Sequence, residues 1–162
     1  MFNSSSPAST LLTVTAVIEL GAGLALLCFP SVTVALLVGI PLEAPAALTL
    51  ACVAGAALLT LGVACWLARG DTQSRAARGL VAAMVLYNFG LAFILAAAGI
   101  GSHLVGVALW PAVVLHAAMT LWCIMILLSG KLGGQNRPLS RVFPDLLYRL
   151  RKPAAERQDL TR

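Results

Sequence analysis

At 162 residues, 60% of them hydrophobic and only 10% charged, with a mean hydropathy of +0.94, the chain has too little polar surface to cover a globule in water. A soluble domain carries roughly 25% charged residues, so a water-soluble enzyme or binding domain is excluded and a single integral membrane domain is expected. The formal net charge is +5, and no binding motif accompanies it that would mark a nucleic-acid partner.

About 20 apolar residues at a rise of 1.5 Å cross a hydrocarbon core of about 30 Å. Four stretches are long enough: 11–29, 46–68, 79–98 and 104–128. The lead-in 1–10 is Ser-rich and carries no charged side chain. It lacks the basic start of a secretory signal and Glu19 interrupts the apolar run behind it, so the first span is expected to be retained. The segment 31–40 is apolar but too short to cross, and Pro30 and Pro41 bracket it. It predicts a short interfacial helix on the outer rim. Asp71 is placed to cap the third helix, with Arg75 and Arg78 at the lipid boundary. The stretch 99–102 predicts a tight outer turn that makes the third and fourth spans antiparallel neighbours. Trp66, Trp110 and Trp122 suit interfacial anchors. Pro111 is expected to kink the fourth helix one turn outward of His116.

Past residue 130 the composition changes to a basic tail, 131–162. Within it, Val142, Phe143, Leu146, Leu147 and Leu150 recur at helical spacing, opposite Arg141, Asp145, Arg149 and Lys152. This predicts an amphipathic helix over about 141–152 lying on the membrane surface, with Arg141, Arg149, Arg151 and Lys152 drawn to anionic lipid at roughly 1 kcal/mol each. The expected fold is therefore all-α: an integral membrane four-helix bundle over 1–130, a short interfacial segment after helix 1, and a C-terminal amphipathic helix.

All eleven basic residues fall in the second connection or after the fourth span. With four spans both places lie on one side, and the positive-inside rule makes that side the cytoplasm, with both termini there. The Ala, Leu and Arg bias suits a bacterial inner membrane.

Within this apolar chain, Glu19 and His116 stand near the middle of the first and fourth spans, and Tyr87 and Asn88 near the middle of the third. Ionisable groups at membrane depth are costly, on the order of 2.5–3.5 kcal/mol on insertion scales, and mark candidate sites. Small and polar stripes at helical spacing carry them inward: Thr15, Glu19, Ala22 and Gly23 on the first helix, Gly79, Ala83, Tyr87 and Gly90 with Asn88 flanking on the third, and Ala112, His116, Thr120 and Cys123 on the fourth. On the second, Ala47, Ala51 and Gly55 form a stripe of small residues. Glu19 is thus expected to meet His116, Tyr87 or Asn88. Such a cluster can exchange a proton or grip a cationic substrate. It can equally be an interhelical hydrogen-bond set that fixes packing, at about 0.6 kcal/mol per contact.

Other chemistry is thin. Cys28, Cys52, Cys65 and Cys123 form no CxxC pair, and buried packing is the expected role of Cys65 and Cys123. His103 and His116 share one helix at different depths, which disfavours haem. No zinc pattern, phosphate loop or hydrolase motif is present. No catalytic residue, cofactor or metal is therefore assigned.

Span count and size, with Glu19 and Gly23 followed by the Pro30 segment, resemble the small bacterial four-helix membrane proteins called DoxX-like. The resemblance covers about residues 10–130 and implies the four-span architecture. Some of those proteins are tied to quinone or thiol redox complexes, and no functional residue is carried over. Three functions follow as expectations. The first is a non-enzymatic accessory or assembly subunit, whose partners are the lipid bilayer and another membrane protein or a second copy. The others are a proton-coupled small-molecule transporter using Glu19 and His116, and a quinone-binding redox subunit with His116, Tyr87 and Trp110 as contacts.

Overall fold

The computed structural model describes residues 6–101 and 105–133, without the side chains of 131–133. They form five helices: α1 Pro7–Cys28, α2 Pro30–Val38, α3 Pro45–Ala68, α4 Arg75–Gly101 and α5 Leu109–Gly133. Four of these, all but α2, are long and apolar enough to cross a membrane, and the chain is an all-α membrane bundle. The C-terminal amphipathic helix expected over 141–152, with Arg141, Arg149, Arg151 and Lys152, lies outside the described residues.

Local chemistry sets the helix ends. Pro7, Pro30 and Pro45 each open a helix, where the missing N–H has no intrahelical partner to lose. The Ser6 hydroxyl caps α1 by accepting from the Ser9 N–H at 3.2 Å. α2 stops at Gly39, whose φ of +84° is a left-handed conformation that glycine adopts freely. The short segment after helix 1 is therefore a nine-residue helix with no buried residue.

Three expectations about helix ends are corrected. Ser74, and not Asp71, caps the third span: its hydroxyl accepts from the Ala77 N–H at 3.1 Å, and α4 starts at Arg75. α4 continues through Gly101, so 99–101 is helix and not a turn. Pro111 lies in the first turn of α5, where no N–H is required, so it starts the helix instead of kinking it.

The spans run in alternating directions. Leu20 meets Gly62 while Gly23 meets Gly55, which makes α1 and α3 antiparallel. Their backbones touch at two glycines: a Cβ on Gly23 would stand 2.7 Å from the Gly55 carbonyl oxygen, and one on Gly55 2.9 Å from that of Gly23. Ser6 lies within 3.5 Å of Thr72, so the start of α1 shares an end of the bundle with the α3–α4 connection. At the opposite end the Ala108 N–H donates to the Leu36 carbonyl at 2.9 Å, and Gly106 packs on the backbone of Leu36 and Leu37.

Every span contributes to the apolar core: Leu11, Leu12 and Ala16 from α1, Cys65 from α3, Val81 and Met84 from α4, Met119 and Cys123 from α5. Large apolar side chains such as Leu86, Phe89, Phe93 and Val114 are exposed on the outside, as a lipid solvent requires.

The Glu19–Tyr87–Asn88–His116 cluster

On α1 the residues at helical spacing Leu12, Thr15, Ala16, Glu19 and Gly23 are all buried, so Glu19 faces the bundle interior. On α4 the buried face is Ala77, Val81, Met84, Asn88 and Leu95. This corrects the expected face: Gly79 and Ala83 are exposed, a Cβ on Gly79 or Gly90 would meet nothing within 4 Å, and Asn88 stands at the centre with Tyr87 at its flank. On α5, His116, Met119, Thr120 and Cys123 are buried. On α3 the buried line is Ala51, Gly55, Gly62 and Cys65, with Ala47 only half-buried. It packs beside α1.

The structure brings the four polar residues together as two adjoining pairs. The Tyr87 hydroxyl donates to Glu19 Oε2 at 3.0 Å. His116 Nδ1 lies 2.8 Å from Asn88 Oδ1. The Tyr87 and His116 rings meet edge to face, centroids 6.0 Å apart at 86°. Glu19 and His116 are not hydrogen-bonded to one another.

Asn88 selects the nitrogen of His116 that donates. Its amide nitrogen donates to the Met84 carbonyl at 2.9 Å, and a carbonyl only accepts, so the amide oxygen must be the atom facing the imidazole. Nδ1 then carries a proton, and when the ring is neutral the lone pair is on Nε2. The Thr120 hydroxyl donates to the His116 carbonyl at 2.8 Å, tying the same turn of α5.

One participant was not assigned from the sequence. Thr15, one turn before Glu19, is 2% exposed, and its hydroxyl has no hydrogen-bond partner. Leaving a buried hydroxyl unpaired costs about 1–3 kcal/mol. It lines a crevice between α1, α4 and α5 together with Glu19, Asn88 and His116, and Ile18, Leu115 and Met119 supply apolar walls. In this conformation the crevice leaves no space for a water molecule. The Thr15–Glu19 spacing was visible in the sequence, but that the hydroxyl goes unpaired was not.

Other expected participants lie elsewhere. Trp110 is half exposed, packs beside Gly99 and takes no part in the crevice. Trp66 stacks under the Arg69 guanidinium, 3.2 Å from the ring centroid, an interfacial arrangement. Cys65 and Cys123 are fully buried in the core. Among the described residues no three His, Cys, Asp or Glu side chains converge to hold a metal ion. Comparison with protein-family models, with curated proteins and with solved structures gives no match.

Proposed function

We propose that this chain is a small non-enzymatic inner-membrane protein, both termini cytoplasmic, that binds a small molecule between its spans and carries it as a transporter does. The site is the crevice of Thr15, Glu19 and His116, with Tyr87 and Asn88 holding the last two in position. One observation carries this reading: the Thr15 hydroxyl is buried without a partner in the same crevice as Glu19 and His116. A cluster that served packing alone would be closed on itself, because unpaired polar groups among apolar helices are destabilising. Here the binding capacity of the Thr15 hydroxyl is left over.

The accessory-subunit reading rests on the missing catalytic motif and on a basic tail outside the described residues, and the DoxX-like resemblance is compatible with either function. Native mass spectrometry of the protein, extracted from its own membrane in mild detergent, separates the two. A retained small molecule that disappears in Glu19→Gln supports the carrier. A stoichiometric heteromer with no retained molecule makes the chain an accessory subunit.

A further inference from the structure

The residues that line the crevice are unevenly exposed. Its polar members Thr15, Glu19, Asn88 and His116 are all buried, whereas Leu115 is 38% exposed and Ile18 half-buried. The mouth therefore lies between Ile18 of α1 and Leu115 of α5. α1 is Pro7–Cys28 and the apolar part of α5 is Leu109–Gly130. At 1.5 Å per residue, Ile18 and Leu115 stand about 9 Å or more inside both ends of their spans. A side opening at that depth meets hydrocarbon and not water.

The interior of the crevice is dominated by acceptors. Glu19 presents a carboxyl group of which one oxygen is held by Tyr87, and the imidazole of His116, held at Nδ1 by Asn88, has its lone pair on Nε2 when neutral. The Thr15 hydroxyl accepts or donates. Among the described residues no cationic side chain bonds to Glu19. With the carboxyl ionised and the imidazole neutral, a ligand that only accepts, such as a quinone through its carbonyls, satisfies Thr15 alone. A ligand carrying two or more donors on one compact head satisfies all three groups.

Resting on the binding site proposed above, we infer that the ligand enters sideways from the bilayer between Ile18 and Leu115, and that it is a bilayer-soluble molecule whose polar head donates hydrogen bonds. An alkylammonium and a hydroquinone share this chemistry. Entry parts the Ile18 and Leu115 side chains, since the closed crevice has no room for water.

The test uses full-length protein in lipid nanodiscs, with the 15N resonances of the His116 ring followed during titration. The probes are decylamine and decylhydroquinone, each with a donor-free counterpart (decyltrimethylammonium and decylquinone), and methylammonium as a water-borne amine. Saturable shifts by at least one donor-bearing probe, about tenfold tighter than its counterpart, are expected, and which of the two binds names the source. Thr15→Val weakens that binding threefold to tenfold, the effect of one lost hydrogen bond of about 1 kcal/mol. Ile18→Trp slows association while leaving the free-state spectrum of His116 in place. Equal or tighter binding of the donor-free probes overturns the donor requirement. Methylammonium binding as tightly as decylamine overturns the lateral route. If no probe of any kind moves His116, the binding site itself fails, and this inference with it. A Leu115→Cys disulfide dimer formed in native membranes shows a second copy covering the mouth, which also overturns lateral entry.

Discussion

His116 Nδ1 and Asn88 Oδ1 stand 2.8 Å apart across α5 and α4, and the second hydrogen bond of Asn88, to the Met84 carbonyl, dictates which of them donates. One amide thus selects the histidine tautomer, and the neutral ring turns an acceptor to the crevice. The chain has two histidines, so with His103→Gln the 15N spectrum reports His116 alone. The neutral ring is expected to show a protonated Nδ1 and a bare Nε2. Asn88→Leu should mix the two tautomers and lower bundle stability by about 0.6 kcal/mol, the usual worth of such a contact in a membrane. A protonated Nε2 in the unaltered protein would sink the assignment.

The Gly23–Gly55 crossing is predicted to be intolerant of any side chain. A methyl group at either position would stand under 3 Å from the facing backbone oxygen, and neither helix backbone can rotate away as a side chain does. Gly55→Ala should destabilise the protein by about 1–3 kcal/mol, the range for overpacked cores. Gly21→Ala and Gly79→Ala, with nothing within 4 Å, should be neutral. Reversible unfolding in detergent or bicelles measures all three, and equal effects would remove the close crossing from the account.

Much of this was legible because a bilayer imposes period and length so strictly. The spans, the short helix after the first and the depth of Glu19, Tyr87, Asn88 and His116 all follow from apolar run lengths. What failed did so for local reasons. Small residues predict the wrong inward face on the third span: Gly79 and Ala83 face outward while Val81 and Met84 pack inside. In lipid both faces of a helix are apolar, so hydrophobicity does not orient it, and small size alone is a weak guide. The apolar run from 104 puts Pro111 inside a helix and so predicts a kink, whereas α5 starts at Leu109 and Pro111 falls in its first turn. Pairing was beyond the sequence, since Glu19 had three candidate partners at one depth and only the packing of Tyr87 beside it decides among them.

Gly106 is predicted to hold α2 to the start of α5. A Cβ there would stand 2.3 Å from the Leu37 backbone, and the Ala108 N–H donates to the Leu36 carbonyl alongside. Gly106→Val should break that hydrogen bond and release α2, which buries no residue of its own. Hydrogen–deuterium exchange at the Ala108 amide should rise at least tenfold, which corresponds to about 1.4 kcal/mol of local opening. The helix-interior amides of α1 and α3 should keep their protection. Unchanged exchange at Ala108 would show that α2 is held in some other way.

The orientation proposed for the bundle is open to a direct thiol test. Ser6 and Thr72 meet at one end, and Arg69, Arg75 and Arg78 flank Thr72, so the proposed orientation has that end in the cytoplasm. Glu43, exposed between α2 and α3, belongs to the opposite end. Cys65 and Cys123 are fully buried and should stay silent, whereas Cys28 is exposed and is removed as Cys28→Ala. In that background a membrane-impermeant maleimide added to intact cells should label Glu43→Cys at once, and Thr72→Cys only after the membrane is opened. The basic connection resists export because moving several arginines across the hydrocarbon is prohibitive, at about 2.5–3.5 kcal/mol for each on insertion scales. Labelling of Thr72→Cys in intact cells would invert the bundle, placing the start of α1 and the basic connection outside. The Ile18–Leu115 mouth would keep its mid-span depth, so the lateral route would survive the inversion while the cytoplasmic termini would not.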